Sequence, residues 1–201
     1  TLFRSAELGY GDASAGRPEA TVISYGPIAS AKYITYYFRH AFEVEDPSAY
    51  GGLVMRFQRD DGGIVYLNGQ RVFTSNLPSG PVDYLTTASL ADDDGAQFHS
   101  ANVAGSYLRS GTNVLAVEVH QESRTSSDIS FDLQLQAEPL PSLRWLAFGG
   151  EWHLFWSASG VALESADGLR GDWQTLGVGS PVPVAIDAPE RYYRLRTINP
   201  P

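Results

Sequence analysis

The sequence predicts an all-β chain built as an antiparallel sandwich followed by a small second β module. Three observations predict it. Apolar and polar residues alternate with a period of two through most of the chain, and helical periodicity is almost absent. Gly, Asn and Asp turns punctuate the alternating runs. At "AEPLPS" (137–142) two prolines break the pattern, and three of the four Trp lie beyond residue 150. A domain boundary is expected there, giving 1–138 and 139–201, because few contacts cross exposed proline-rich segments.

The elements follow in order. In "ITYYFRHAFEV", Ile34, Tyr36, Phe38, His40, Phe42 and Val44 share one face, and Thr35, Tyr37, Arg39 and Glu43 share the other. "LVMRFQR" sets Leu53, Met55 and Phe57 against Val54, Arg56 and Gln58. "RDDGGIVYLNGQRVF" reads as turn, strand, hairpin turn and strand, with Asn68-Gly69 supplying the left-handed pair that a tight hairpin needs. A long polar loop follows, and "VAGSYLRSG" is the one expected helix, a turn or two ended by Gly111. Leu115, Val117 and Val119 then alternate with Ala116, Glu118 and His120, and Ile129, Phe131, Leu133 and Leu135 with Ser130, Asp132, Gln134 and Gln136. One dry and one wet face per strand is the signature of stacked antiparallel sheets. After the boundary, "LRWLAF", "EWHLFWSA", "VALES", "WQTL", "VPVAI" and "YYRLR" read as short strands, with Trp152, Leu154 and Trp156 on one core-facing side.

Composition narrows the partners. A formal net charge of −9 disfavours nucleic acid and anionic membrane surfaces, since phosphate binding needs clustered Lys and Arg. The chain has no Cys, so disulfides and thiolate metal sites are excluded, and no apolar run is long enough to span a bilayer. The abrupt opening "TLFRSAELGYGD" is read as that of a fragment short of its first strand. "TLFRS" is also what a common sequencing-adapter string encodes, so whether Thr1–Ser5 are natural sequence stays open.

Three stretches carry a family likeness. "YYFRHAFEV", "RDDGGIVYLNGQRVF" and "SGTNVLAVEVHQ" resemble strands of the galactose-binding-domain-like jelly roll, in particular the sugar-binding domain of family 2 glycoside hydrolases. The second stretch is also similar to the "DDG-x-x-x-Y-x-DG" hairpin of protective-antigen-like adhesin modules. Over residues 7–136 the chain looks like an uncharacterised module repeated in large secreted bacterial proteins, and "LESADGLRGDWQTL…YYRLR" resembles a small β module near their C-termini. The likeness implies a non-catalytic accessory module of a secreted or cell-surface protein, with a glycan or polysaccharide and neighbouring domains of a larger polypeptide as partners. A structural spacer without a ligand, and an accessory fragment of a secreted hydrolase, are the alternatives.

Site candidates follow. In fungal flocculins of the protective-antigen type, paired aspartates at a comparable position hold Ca²⁺, so the likeness makes Asp60 and Asp61 metal candidates and Ca²⁺ the candidate cofactor. The same residues commonly do no more than cap a turn. "HQESRTSSD" joins two strands and so lies at a rim of the sandwich, where His120, Gln121, Ser127 and Asp128, with Asp61, offer partners for sugar hydroxyls. Their alternative role is to satisfy loop backbone groups. Among the aromatics, Tyr84 is the expected ligand contact, because its long loop is otherwise polar. His40 reads as a core histidine. Asp92-Asp93-Asp94-Gly95 reads as a solvated turn, because it lacks the alternate carboxylates of a calcium loop. No nucleophile elbow, phosphate loop or zinc spacing is present, so no enzyme activity is expected.

Overall fold

The computed structural model describes residues 1–185 and 189–198. The chain divides into two compact units, Thr1–Pro139 and Leu140–Pro201. Strands are the main regular structure of the described residues, the helical segments are short 3-10 turns, and the fold is all-β.

The first unit has ten strands: β1 (Phe3–Arg4), β2 (Leu8–Tyr10), β3 (Thr21–Val22), β4 (Thr35–Val44), β5 (Tyr50–Arg59), β6 (Gly62–Leu67), β7 (Gln70–Ser75), β8 (Phe98–Ala104), β9 (Gly111–His120) and β10 (Ile129–Pro139). One sheet runs β3-β2-β10-β5-β8, with β1 also on β10, and the other runs β4-β9-β6-β7. All pairings are antiparallel except β2 with β3. Phe42 and Val44 of β4, Val65 and Leu67 of β6, and Leu115, Val117 and Val119 of β9 meet Leu53, Met55 and Phe57 of β5 and Ile129, Phe131, Leu133 and Leu135 of β10 in one core. Those are the inward faces that the alternation assigns, and burying them is the main source of stability. The Asn68-Gly69 hairpin forms with both residues at positive φ, closing Leu67 onto Gln70.

Two expectations fail in this unit. "VAGSYLRSG" is no helix: β8 runs through Ala104, only Gly105–Tyr107 make a single 3-10 turn, and Gly111 opens β9. The fully buried Asn113 decides this, because its side chain accepts from the Arg109 N–H and donates to the Arg109 and Gly111 carbonyls. That fixes the segment as a tight loop. His40 is exposed, with its ring 4.6 Å from that of Phe3. The reason is its strand's position: β4 pairs with β9 alone, and the sheets gape beside it over a hollow of about 510 Å³ lined by Phe3, Leu8, Phe38 and Phe131 among others.

The second unit has β11 (Arg144–Phe148), β12 (Glu151–Phe155), β13 (Val161–Ala166), β14 (Gln174–Gly177), β15 (Val182–Val184) and β16 (Tyr192–Thr197), in two three-stranded sheets ordered β11-β12-β15 and β14-β13-β16. Ile186, at the end of the expected strand "VPVAI", lies outside the described residues. Leu154, Trp156, Val161, Leu163 and Val184 form its core. Trp152 does not join them. It is half-exposed and edge-on to Trp145 at 6.2 Å, although β12 is the central strand of its sheet. No helix of the described residues is long and apolar enough to cross a membrane.

Candidate functional site

Backbone hydrogen bonds bring three separate loops to one end of the first unit. The Asp60 N–H donates to the Ser130 carbonyl and the Asp61 N–H to the His120 carbonyl, so the β5–β6 turn lies between the ends of β9 and β10. The 121–128 loop is fastened over it from several sides. The Glu122 N–H donates to Asp61 Oδ2 (2.7 Å), the Gln121 N–H to the Ile34 carbonyl, and the Lys32 N–H to the Arg124 carbonyl. The Lys32 ammonium donates to the Ser126 carbonyl and lies 5.2 Å above the Tyr10 ring. The third loop, which follows β7, is held by the Ala91 N–H donating to Asp61 Oδ1 (2.8 Å). Asp61 thus spends both carboxylate oxygens on loop backbone.

Between these loops lies a cleft of about 280 Å³ lined by Asp60, Asp61, Asp94, Glu122 and Asp128, with Thr125, Ser126 and Ser127 beside them. Arg17 reaches its margin, 2.7 Å from the Asp94 carbonyl and 3.3 Å from the Asp94 carboxylate. Asp60 is only 4 % exposed. Among the described residues no N–H or O–H donor reaches its carboxylate, and its hydrogen-bonding neighbour is the Asp61 carboxyl group. Burial, and then the charges of Asp61, Asp128, Asp12 and Asp94, push the Asp60 carboxyl up to about 8. Burial likewise raises Asp12, which holds Arg17 at 2.6 Å and accepts from the Ser130 hydroxyl at 2.5 Å. Asp12, Asp94 and Asp128 each offer an oxygen within 4.8 Å of the others. Two glycines permit this crowding. A Cβ on Gly95 (φ +61) would stand 2.7 Å from the Asp60 Cβ, and one on Gly11 (φ +104) 2.6 Å from the Asp128 Cβ.

Calcium takes six to eight hard oxygens; among the described residues the carboxylates that converge are Asp12, Asp94 and Asp128, with Asp60 and Asp61 lining the same cleft, and Arg17 contacts both Asp12 (2.6 Å) and Asp94 (3.3 Å). A transition metal that prefers nitrogen or sulfur finds neither here.

The structure sorts the sequence candidates. Asp60, Asp61, Ser127 and Asp128 all line the cleft, and the Ser127 hydroxyl donates to Asp128 at 2.8 Å. His120 and Gln121 do not reach it, which corrects their assignment as ligand contacts. Both are fully buried. His120 Nδ1 donates to the Thr86 carbonyl at 2.7 Å and lies 3.0 Å from the Thr35 hydroxyl, while the Gln121 amide donates to the Tyr10 hydroxyl. Their work is to pin the long loop against the sheet. Tyr84 is exposed as expected but lines a different hollow, on the other side of the 121–128 loop. The solvated reading of 92–95 also fails in part. The Asp93 carboxylate is enclosed, 2.9 Å from Arg59 and 3.0 Å from His99, while Asp94 stays open to the cleft. Asp12 was missed, although "GYGD" set an acid directly after a turn glycine.

No protein-family model matches the chain, and no curated protein does. Among solved structures, a β-glucuronidase from Ruminococcus gnavus is similar at TM-score 0.33 and 11% identity, over 84% of this chain and 36% of that one. A β-D-mannosidase from Dictyoglomus thermophilum is similar at TM-score 0.34 and 11% identity, over 85% and 25%. The R. gnavus enzyme in complex with D-glucuronic acid gives TM-score 0.34 and 11% identity, over 84% and 37%. The chain therefore spans about a quarter to a third of the length of these glycoside hydrolases, at a distant level of likeness.

Proposed function

We propose that the first unit is a non-catalytic, calcium-assisted carbohydrate-binding module that serves adhesion or substrate targeting in a secreted or surface-anchored protein. One observation carries this reading. Asp60 is a buried carboxylate without a donor among the described residues, facing a rim cleft lined by five acids, of which Asp94 is paired with Arg17. An unpaired buried charge is costly, and such charges are normally paired or bound to a metal. When bound, Ca²⁺ supplies the missing positive charge and open coordination positions that suit a pair of sugar hydroxyls. The chain's own residues do the rest. Asp61 ties the three loops together, Lys32 braces the outer loop, and Ser127 orients Asp128. The likeness of "RDDGGIVYLNG" to sugar-binding and adhesin modules supports the same reading.

The test is a glycan array probed with the full chain in Ca²⁺ and again in EDTA. Signals that disappear in EDTA are expected. Blank arrays in both conditions would overturn the proposal in favour of a spacer.

A further inference from the structure

Beyond the 121–128 loop, opposite the acidic cleft, lies a second hollow of about 400 Å³ lined by Tyr33, Tyr37, Tyr84, Leu85 and Arg124 among others. Its character is the reverse of the cleft's. Tyr33, Tyr37 and Tyr84 are 53, 65 and 63% exposed, an uncommon concentration of large rings in water. None of their hydroxyls has a partner among the described residues, so each is free both to donate and to accept. A ring face beside an unpaired hydroxyl matches a pyranose, which has an apolar face and a polar edge. The Arg124 guanidinium is exposed and without an ion pair among the described residues, and it adds a fork suited to a carboxylate.

The platform is also rigid. The Thr35 hydroxyl donates to the Tyr84 carbonyl (2.9 Å), and Asp83 closes a turn through the Leu85 N–H (2.9 Å) and the Thr86 hydroxyl (3.0 Å). His120 holds the Thr86 carbonyl from below, and Ala88 N–H donates to the Gln121 carbonyl. The fully buried His120 and Gln121 are therefore positioning residues for Tyr84. The Tyr33 ring packs against the bare α-carbon of Gly26, where a Cβ would come within 3.1 Å. A backbone held in place beneath Tyr84 lowers the ordering cost of binding, which is how a shallow site gains affinity.

We infer that this tyrosine hollow is a second subsite for the same glycan, stacking a uronate-type pyranose unit whose carboxylate pairs with Arg124. The inference rests on the glycan reading above and deepens it, because two hollows sharing one loop wall suit an extended acidic polysaccharide rather than a single terminal sugar. It also assigns the cation a second role. With the cleft empty, five carboxylates stand near the approach of an anionic chain, and a bound divalent ion offsets them.

The experiment titrates the full chain by calorimetry with two probes, oligogalacturonate and a neutral galacto-oligosaccharide, in Ca²⁺ and in EDTA. Wild type is expected to prefer the acidic probe. Tyr84→Ala is expected to weaken both probes by about 3–10-fold, the range of one aromatic stacking contact, and Tyr84→Phe to restore most of the stacking. Arg124→Gln is expected to erase the preference for the acidic probe, about fivefold for one exposed ion pair, and to leave the neutral probe unchanged. Melting temperatures within a degree of wild type exclude misfolding as the cause. Unchanged binding in both Tyr84→Ala and Arg124→Gln, equal binding of the two probes by wild type, or no binding of either would overturn the inference. Loss on Asp60→Asn without effect of Tyr84→Ala would leave the cleft reading standing and remove the second subsite. Loss on Tyr84→Ala with indifference to EDTA and to Asp60→Asn would do the opposite.

Discussion

Asp60 of the first unit and Glu164 of the second are equally buried, each only 4 % exposed, yet their surroundings are opposite. Glu164 on β13 is clamped by two neighbours on β16: Arg196 Nε donates to its Oε1 at 2.5 Å and Arg194 Nε to its Oε2 at 2.8 Å. The hydrogen bond from Arg196, with that from Arg194, holds its carboxyl below the usual range. Asp60 has only other acids around it, and its carboxyl is pushed up instead. Inside the first unit the same contrast recurs between Asp60 and Asp93, whose partners, the buried Arg59 and the half-buried His99, hold it low despite its burial. The protein thus pairs Glu164, Asp93 and, through Arg17, Asp12 and Asp94 with basic side chains, and leaves Asp60 without one among the described residues. That difference separates a carboxylate built to hold the fold from one placed to meet something from outside.

Substitutions at these carboxylates separate the two roles. Asp93→Asn removes one partner of a buried pair and leaves Arg59 uncompensated, so it is expected to cost about 3–5 kcal/mol of unfolding free energy by urea denaturation. A loss under 1 kcal/mol would mean that Arg59 is satisfied without it.

Asp60→Asn should act in the other direction on the metal-free protein. The folded-state pKa of Asp60 is raised, so between about pH 4 and pH 8 the unfolded chain sheds a proton that the folded chain keeps. Stability therefore falls as pH rises, with a slope of up to about 1.4 kcal/mol per pH unit for one such group. Asp60→Asn flattens the slope and stabilises at pH 8. A slope identical in wild type and variant would show that Asp60 is not the group under strain.

Calcium should offset that cost. At a concentration 100 times its Kd, a ligand bound only by the folded state adds about 2.7 kcal/mol, read as a rise of several degrees in melting temperature. EDTA reverses the rise and Asp60→Asn abolishes it. A melting temperature indifferent to Ca²⁺ would remove the metal from the account.

The smallest effect belongs to Glu164. Its folded pKa is lowered, so its contribution is present above the ordinary value of 4.5 and is lost as pH falls through the depressed one. Both arginines reach solvent, which screens the pair. Glu164→Gln should therefore lower the melting of the second unit by only a few degrees near neutrality and remove part of its acid sensitivity. A variant as acid-sensitive as wild type would shift the role to another carboxylate.

The strands were legible because period-two alternation is a local signal. The inward residues of β5, β9 and β10 lie where it puts them. So was the meeting of the Asp60 turn with the 121–128 loop, since both connect strands that end at the same rim. What was not legible depends on contacts distant in sequence. His120 occupies an outward position of β9 and is buried only because the 83–88 segment folds over that face. Asp12 and Asp94 enter the acidic cluster from loops 82 residues apart, and no spacing rule joins them. Tyr84 was identified from its polar loop, but the hollow it lines needed Tyr33 and Arg124 from two other segments. His40 differs from expectation because it stands on an edge strand. Alternation names a face, and whether that face is covered depends on where the sheet stops.

The position of β4 has one more consequence. Its outer margin leaves a row of backbone donors and acceptors ten residues long without a strand beside it. Such margins recruit copies of themselves into ribbons unless charge keeps them apart. Exposed Arg39 and Glu43 stand on that strand. Replacing both with valine would strip that charge from the margin, with light scattering and thioflavin binding on standing as the expected outcome.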